Sequence, residues 1–256
     1  MATLGFIGSG NIGSGIARLA VAAGIDVVMS NSRGPESLAD TVAALGGRAR
    51  AATPEEAARA GDWVVVSIPF APFRQLPASA LAGKVVLDTI NYYPFRDGHF
   101  EALDAGTVTS SEMVQDHLRG AHVVKAFNSI NQHHLTALAR PADAADRSAL
   151  PIAGDVPEAK ESAGVLIGGL GFDTVDVGPL SEGWRFEPET APYVTPYCSD
   201  PAAFRTALAR MGEELRSGGP VLSAPPADAG APLSARRLRE VLKESTRKLP
   251  ADRLLR

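Results

Sequence analysis

Short apolar runs alternate with alanine-rich segments of helical periodicity between residue 3 and about residue 179. The runs lack strict alternation of polar and apolar positions, as in strands that helices cover on both faces. Alternation of such strands with helices predicts consecutive βα units. We therefore expect an α/β fold with a doubly wound parallel sheet. The predicted strands cover residues 3–7, 26–30, 63–67, 85–88, 122–125, 150–153 and 174–177.

Helix start signals fall between these strands. Pro35, Pro54 and Pro72 can each occupy the first turn of a helix, where a backbone N–H would lack a helical partner. Thr53 precedes Pro54 and has Glu56 three residues later, which is the pattern of a capping box. The predicted helices cover residues 11–23, 35–45, 54–60, 72–79, 110–118 and 156–170.

The pattern changes after residue 179, where the βα alternation ends. We expect an irregular segment, an amphipathic helix, a linker rich in Pro, Gly and Ala, and a peripheral basic helix, at residues 181–196, 201–216, 217–232 and 234–249. The chain is therefore divided into a core domain of residues 1–180 and an extension of residues 181–256, which serves as a lid, as a dimer arm, or as both.

Composition and charge narrow the possible partners. A net charge of −4 provides no broad cationic surface, so neither nucleic acid nor a membrane is an expected partner. The arginines and lysines of the last helix could form such a patch, but a solvated helix face is the favoured interpretation. No apolar stretch reaches the length of a membrane span, and no signal peptide is recognisable. The single cysteine, Cys198, excludes an internal disulfide and fits a cytoplasmic location.

A glycine motif, G-x-G-x-x-G, stands directly after the first predicted strand and directly before the first predicted helix. In that context Gly8 permits the tight turn, Gly10 lets the backbone approach a pyrophosphate, and Gly13 lets the helix pack close to the strand. The helix start directs N–H groups and positive potential at the same anion. The pattern predicts a Rossmann dinucleotide site; the alternative is a tight turn without a nucleotide. Further backbone donors are expected from Ser9, Asn11 and Ile12.

The end of the second predicted strand indicates which dinucleotide binds. NAD sites carry an acidic residue there, which accepts hydrogen bonds from the ribose hydroxyls. This chain instead has Asn31, Ser32 and Arg33. A guanidinium can contact two phosphate oxygens, and the hydroxyl and amide can donate to the same phosphate. We therefore expect NADP(H), with a solvated loop arginine as the alternative interpretation of Arg33.

Four stretches together resemble the NADP oxidoreductase family that includes the NADPH-dependent reductases of the deazaflavin coenzyme F420. They are residues 8–15, 31–33, 67–69 and 123–128. The resemblance extends over about residues 3 to 180 and implies a homodimeric oxidoreductase that transfers a hydride between NADPH and the deazaflavin. It specifies the NADPH half of the site and says less about the electron acceptor.

The resemblance also implies contacts on the nicotinamide side. The loop of Ser67, Ile68 and Pro69 would lie along the nicotinamide ribose, and Asn91 would enter the same cleft. The stretch that contains Lys125, Ala126 and Asn128 would place its backbone beside the carboxamide of the nicotinamide. Asn128 would orient that group. Lys125 is either a proton donor to the acceptor or, as the favoured alternative, a structural or ribose-binding lysine.

Several side chains have both a functional and a structural interpretation. His133 and His134 point about 100° apart on a helix, so no metal site is expected. Cys198 has no recognisable base and is expected to be a packing residue. Tyr92 and Tyr93 either pack the cleft wall or contact a ligand. In the predicted irregular segment, Trp184 and Phe186 either anchor the packing of the segment or stack on the acceptor.

Three functions remain open from the sequence. The first is an NADPH:deazaflavin oxidoreductase, which needs no catalytic acid because the cofactors carry the bond chemistry. The second is an NADPH-dependent reductase of a small carbonyl, imine or flavin acceptor, which needs a proton donor that the sequence does not reveal. The third is a non-catalytic NADP(H) sensor whose last helices bind a partner.

Overall fold

A single sheet of eight strands forms the centre of the protein in the computed structural model, which describes residues 1–218, 222, 225 and 227–255. The strand order is β3-β2-β1-β4-β5-β6-β7-β8. The chain runs outward from β1 to β3 and then returns to β4 on the other side of β1, so the switch point lies between β1 and β4. The expected doubly wound α/β fold is confirmed. The strands are β1 (Thr3–Ile7), β2 (Asp26–Ser30), β3 (Ala49–Ala51), β4 (Trp63–Val66), β5 (Val85–Asp88), β6 (His122–Lys125), β7 (Ala149–Gly154) and β8 (Asp173–Asp176).

Two features of the sheet depart from the expectation. β3 was not predicted, because it has only three residues and its central residue, Arg50, is exposed. β7 pairs with β6 in antiparallel register, with Val124 opposite Gly154, so the sheet is mostly rather than wholly parallel. The connecting segment leaves β6 and enters β7 at the same end of the sheet. It therefore does not form the crossover that a parallel pair needs.

Helices cover both faces of the sheet. They are α1 (Asn11–Ala22), α2 (Ala39–Leu45), α3 (Pro54–Ala60), α4 (Ala78–Leu81), α5 (Pro94–Asp97), α6 (Glu101–Asp104), α7 (Ser110–His117), α8 (Gln132–Leu138), α9 (Pro157–Gly169), α10 (Pro201–Arg216) and α11 (Ala235–Lys243). The capping box of Thr53 and Glu56 is present at α3. Two predicted helices begin instead with 3₁₀ turns, Pro35–Leu38 and Ala71–Gln75. In each, proline lies in the first turn and the N-cap residue supplies no side-chain cap. At the second turn, Asp97 instead accepts with Oδ1 from the backbone N–H groups of Phe70 and Ala71.

The core lies on both faces of the sheet. Alternate residues of β4 enter different apolar clusters, since Val64 and Val66 pack on one face and Val65 on the other. All three are fully buried. Side chains of the strand thus point alternately to the two faces of the sheet but are apolar on both, as the short apolar runs predicted. The loops at the carboxyl ends of the strands remain free to form a site.

The C-terminal extension is part of this core. Leu238 and Leu242 of α11 are buried in the same cluster as β1 and β7, so the expectation of a peripheral last helix is wrong. The helix ends at Lys243 because the amphipathic pattern gives way to a turn whose Ser245 hydroxyl donates to the carbonyl oxygen of Arg185. Its arginines are exposed, which leaves a solvated basic face. Within the predicted linker, residues 219–221, 223, 224 and 226 lie outside the described residues. In the described ranges, no helix is long and apolar enough to cross a membrane.

Candidate functional site

The turn between β1 and α1 is fixed by two of its glycines and open at the third. Gly8 has φ of +106°, and a Cβ there would lie 2.1 Å from the carbonyl oxygen of Ser67. A Cβ on Gly13 would lie 2.6 Å from the carbonyl oxygen of Gly8. A Cβ on Gly10 would meet no heavy atom within 4 Å. The fold therefore requires glycine at the first and third positions, whereas the second faces free space.

The start of α1 suits an anion. Gly10 precedes the helix without a side-chain cap, and the first turn contains no acidic residue. The first N–H groups of a helix have no intrahelical partner, so these donors and the positive end of the helix dipole face the free space beside Gly10. Ser14 supports the turn by donating from its hydroxyl to the carbonyl oxygen of Ser9 at 3.0 Å. This geometry fits a pyrophosphate.

The loop after β2 places polar and cationic groups beside that turn. Asn31 donates from Nδ2 to the hydroxyl of Ser37 at 2.9 Å and to that of Ser9 at 3.3 Å. Its Oδ1 accepts from the backbone N–H of Arg33 at 2.9 Å. The Arg33 side chain is exposed and forms no ion pair with the described residues. The loop is thus ordered by Asn31 and leaves the guanidinium available to a phosphate.

These loops enclose a cleft of about 530 Å³ at the carboxyl ends of β1, β2 and β4. We call it the first cleft. It brings together most of the predicted cofactor residues, namely Gly8, Ser9, Gly10, Asn31, Ser32, Arg33, Ser67, Ile68 and Pro69. Because these come from three loops that meet at the switch point, the arrangement agrees with the location expected for a dinucleotide.

A second cleft, of about 340 Å³, begins on the other side of the α1 start, at Asn11 and Ile12. It continues past Asn91 and Asn128, which follow β5 and β6. The C-terminal extension closes it with mostly apolar side chains, namely Tyr193, Val194, Phe204, Leu208, Met211 and Leu255. The two clefts meet at the first turn of α1, because Gly10 lines the first and Asn11 lines the second.

Two asparagines form the polar floor of the second cleft. Asn128 donates from Nδ2 to Oδ1 of Asn91 at 3.1 Å and to the carbonyl oxygen of Phe186 at 2.9 Å. Asn91 donates in return to the carbonyl oxygen of Asn128 at 2.8 Å. Phe127, just before, has φ of +60°, so the strand end turns sharply here. Oδ1 of Asn128 is buried and has no hydrogen-bond partner among the described residues. It is therefore free to accept a hydrogen bond from a ligand.

A pair of tyrosines lies at the other end of the second cleft. The hydroxyls of Tyr93 and Tyr193 are 2.5 Å apart, and Nδ2 of Asn91 lies 3.5 Å from the hydroxyl of Tyr193. Burial raises the pKa of both hydroxyls above the usual value. Both are therefore neutral near pH 7 and able to donate. Sequence reasoning considered Tyr93 but missed the pair, since 100 residues separate its members.

Lys125 is placed away from both clefts. It is fully buried, and its Nζ donates to the carbonyl oxygen of Ile90 and to the hydroxyls of Ser110 and Ser111, each at 3.1 Å. All three of its N–H groups are used, which favours the structural interpretation over a proton donor. The neighbouring Ala126 is also buried and lines neither cleft.

Lys125 is one link in a buried chain of charges. Its Nζ lies 3.8 Å from Glu187, and the other carboxylate oxygen of Glu187 lies 3.7 Å from the guanidinium of Arg253. Arg253 also donates to the carbonyl oxygen of Tyr92 at 3.0 Å. Asp88 lies at the opposite end and accepts from the hydroxyl of Ser111 at 2.6 Å; burial raises the pKa of its carboxyl. The chain of charges joins the ends of β5 and β6 to the extension.

A third group of functional side chains lies beside the second cleft. Ligand atoms of His134, Cys198 and Asp228 lie within 4.8 Å of one another, a grouping that the sequence analysis missed. Asp228 accepts from Nε2 of His134 at 2.8 Å and from the backbone N–H of Gly230 and Asp200. Burial, together with the nearby carboxylate, raises the pKa of the Cys198 thiol to about 11. The protonated thiol and the saturated carboxylate indicate a contact that holds the linker against α8.

The N-terminal part of the chain, which contains the whole first cleft and Asn91 of the second, matches a known protein family. Residues 3–92 match the model of the family "NADP oxidoreductase coenzyme F420-dependent". A hypothetical protein from Sinorhizobium meliloti is 32% identical, with 76% of this chain and 93% of that chain covered and a TM-score of 0.65. The chain belongs to this NADP oxidoreductase family. It is therefore an NADP-dependent oxidoreductase, as the glycine motif and Arg33 predicted.

Two further solved structures share the fold of this NADP oxidoreductase at lower identity. One is a candidate F420-dependent NADP reductase from Arthrobacter sp. FB24, 23% identical, with 72% of this chain and 87% of that chain covered and a TM-score of 0.60. The other is a pyrroline-5-carboxylate reductase from Coxiella burnetii, 15% identical, with 84% and 70% covered and a TM-score of 0.52. No curated protein sequence matches the chain. The family match contains the whole first cleft and ends before Asn128 and Tyr193.

Proposed function

We propose that this protein transfers a hydride between NADPH, held mainly in the first cleft, and an acceptor held in the second. The observation that carries the proposal is that the two clefts meet at the first turn of α1. A pyrophosphate at this turn, with the adenosine phosphate at Arg33, directs the opposite end of the dinucleotide toward Asn91 and Asn128. When bound, NADPH supplies the hydride, and the protein supplies position and electrostatics.

Each part of the chain has a defined task in this proposal. Backbone N–H groups at Gly10, Asn11 and Ile12 bind the pyrophosphate, and Arg33 binds the 2′-phosphate with help from Ser32. Asn128 offers its unpartnered Oδ1 to the N–H₂ of the nicotinamide carboxamide. Since Asn91 fixes the Asn128 side chain, the ring orientation is set before the acceptor binds.

The deazaflavin coenzyme F420 is the first candidate for the acceptor. The description of the matching family supports it, and the second cleft is open enough to admit one edge of a planar ring. Hydride transfer between two stacked rings requires no protein acid. This fits the burial of Lys125, whose donors are all used.

A small carbonyl or imine compound is the second candidate. It is favoured by the neutral hydroxyls of Tyr93 and Tyr193, which supply the proton donor that such a reduction needs. The cleft volume of about 340 Å³ also lies near the lower end of the range of ligand pockets, and the nicotinamide takes up part of it.

The C-terminal extension lines the second cleft of its own chain, which favours a lid over a dimer arm.

One assay tests these candidates. The loss of the reduced-nicotinamide absorbance is followed with the deazaflavin and then with a panel of ketones, imines and flavins. We expect turnover with NADPH and much less with NADH. Turnover with the deazaflavin alone selects the first candidate, and turnover with a ketone or imine selects the second. Tight NADPH binding without oxidation by any acceptor would replace both with a non-catalytic sensor.

We also propose a homodimer, which the family resemblance implies. The described residues form both clefts within one chain, so a partner is not needed to complete them. Light scattering of the purified full-length protein measures the oligomeric state. A monomer at concentrations used for activity would contradict this proposal without affecting the assignment of the clefts.

A further inference from the structure

The hydroxyls of Tyr93 and Tyr193 reach the second cleft from different parts of the chain. Tyr93 follows β5, whereas Tyr193 belongs to the irregular segment before α10. Val194, next to Tyr193, is a β-branched residue with φ of +54°. Its N–H donates to the carbonyl oxygen of Ser129 at 2.8 Å, and its side chain is buried. Such a conformation persists only where the surroundings enforce it, so the direction of Tyr193 is imposed by the fold.

We propose that Tyr193, supported by Tyr93, is the proton donor to the acceptor, at the heteroatom on which negative charge develops as the hydride arrives. This inference rests on the second candidate function. The substrate class is a small compound with a C=O or C=N group and apolar substituents. The polar group meets the tyrosines, and the substituents contact the apolar residues of the extension, Phe204, Leu208 and Met211.

The hydrogen bonds around the pair identify Tyr193, rather than Tyr93, as the donor. Two groups can donate to the Tyr193 oxygen, namely the Tyr93 hydroxyl at 2.5 Å and Asn91 Nδ2 at 3.5 Å. When Tyr93 donates, the proton of Tyr193 is left free to point into the cleft. The same two donors stabilise the phenolate that remains after the proton has left. Tyr93 itself receives no comparable support, since its hydroxyl bonds only to Tyr193 among the described residues.

The step is balanced for a carbonyl acceptor. The carbonyl carbon accepts the hydride with its electron pair and forms a new C–H bond, while the π pair of the C=O bond moves to oxygen. That oxygen takes the proton of Tyr193, which leaves an alcohol and oxidised NADP. The Tyr193 phenolate regains a proton from the Tyr93 hydroxyl, and Tyr93 regains one from solvent. The guanidinium of Arg96, which is paired with Asp97, lies 5.1 Å from the Tyr93 ring, and its charge favours the transient phenolate.

Single hydroxyl deletions test this role. Tyr193→Phe should lower kcat for a ketone or imine about 10²- to 10⁴-fold, the usual contribution of a positioned acid, with a much smaller change in KM. Tyr93→Phe should have an intermediate effect, because the donor remains but loses its support. Tyr92→Phe is the matched control, since its hydroxyl bonds to Gly98 and Asp104 outside both clefts. Equal rates in Tyr193→Phe and Tyr92→Phe would overturn the proposal.

The pH profile gives a second readout. Because the donor acts in its protonated form, kcat of the wild type should stay level up to about pH 10, the ordinary tyrosine value, and fall only above it. Burial raises the pKa of Tyr193 above that value, and the hydrogen bond from Tyr93 offsets part of the increase. Tyr193→Phe should lose this alkaline fall. Its persistence in the variant would assign the donor role to another group.

A binding measurement separates the donor role from turnover. Isobutyramide has a carbonyl oxygen that accepts a hydrogen bond but resists hydride, and its binding to the NADPH complex is followed by nicotinamide fluorescence. We expect Tyr193→Phe to weaken binding about 2- to 10-fold, the contribution of one neutral hydrogen bond, and Tyr92→Phe to leave it unchanged. Equal binding to wild type and Tyr193→Phe, or no binding to the wild type, would overturn the proposal.

The outcomes also separate this inference from the proposed function. Ketone or imine reduction at equal rates in Tyr193→Phe and wild type would remove the role of Tyr193 and leave the function standing. Amide binding that depends on Tyr193, without oxidation of NADPH by any ketone or imine, would support the donor geometry and contradict the second candidate. Turnover of the deazaflavin alone, at equal rates in both proteins, would overturn the inference while supporting the first candidate.

Discussion

The first cleft is built from loops that are close together in the sequence, whereas the second is assembled from residues spread over almost the whole chain. Every residue of the first cleft lies between Ile7 and Pro77, and its shape follows from the glycine turn. The second cleft extends from Asn11 to Leu255. Its far wall exists only if the extension is folded against the ends of β5 and β6. Binding of the nucleotide and choice of the acceptor are therefore set by different physical constraints.

The two clefts are also held in different ways. The first depends on backbone geometry, since Gly8 and Gly13 allow contacts that any Cβ would block. The second depends on side chains that bridge distant segments, above all the charge chain through Lys125, Glu187 and Arg253. Backbone geometry is specified by a short motif. A buried charge chain is specified only by the complete fold, so changes to it should affect the second cleft first.

Removal of Lys125 should have the largest effect. In Lys125→Met, Asp88 and Glu187 lose their shared cation in a fully buried site. Breaking a buried pair in this way costs about 3–5 kcal/mol of unfolding free energy. Lys160→Met is the control, because Lys160 pairs with the half-exposed Asp176, and a pair of that kind contributes about 1 kcal/mol or less. Urea unfolding measures both; similar losses would contradict the role given to the charge chain.

The glycine turn offers the next largest effect and a contrast within one motif. Gly8→Ala places a Cβ at positive φ and against Ser67, which should cost about 2–5 kcal/mol of unfolding free energy. Gly10→Ala introduces its Cβ into free space, so stability should hardly change while NADPH affinity falls. Thermal unfolding and NADPH titration measure the two effects. Retained NADPH affinity in Gly10→Ala would contradict the close approach of the pyrophosphate.

The same contrast explains what could be predicted from the sequence. The parallel strands could be predicted because short apolar runs indicate buried strands. The first cleft could be predicted because Gly8, Gly10 and Gly13 specify a backbone turn and Arg33 supplies a charge next to it in the fold. The family match over residues 3–92 confirms the NADP part of that prediction. β3 was missed because three residues around an exposed arginine carry no apolar pattern.

The second cleft could not be predicted from patterns between residues that are close in the sequence. Tyr93 and Tyr193 are 100 residues apart, and no spacing or period indicates that their hydroxyls meet. The same holds for His134 and Asp228, which are 94 residues apart. The sequence indicated α11 only as a peripheral basic helix, and its position against β7 and β8 was not predicted, since short-range pattern does not say which surface a helix covers.

Arg33 tests the cofactor preference of the first cleft. Arg33→Ala removes a hydrogen bond to a charged phosphate, which should weaken NADPH binding roughly 10- to 150-fold and leave NADH binding nearly unchanged. Arg48→Ala is the control, because that exposed arginine pairs with Asp26 and lines neither cleft. Fluorescence titration with both nucleotides measures the ratio. An equal loss for NADPH and NADH would show that Arg33 does not contact the 2′-phosphate.

The smallest effect is expected at the linker, where Asp228 joins it to α8. Although burial opposes the charge, hydrogen bonds from Asp200, Ser199, His134 and Gly230 outweigh it and hold the pKa of Asp228 well below the usual range. A folded-state pKa below the unfolded value of about 3.9 gives stability that is fully present above that pH. This stability is lost as the pH falls through the lower, folded value.

Asp228→Asn should therefore be less stable than the wild type near neutrality, and this difference should disappear in strong acid. Urea unfolding at a series of pH values from neutrality to strong acid measures the difference. A difference that stays constant with pH would mean that the contact between the linker and α8 does not depend on the charge of Asp228.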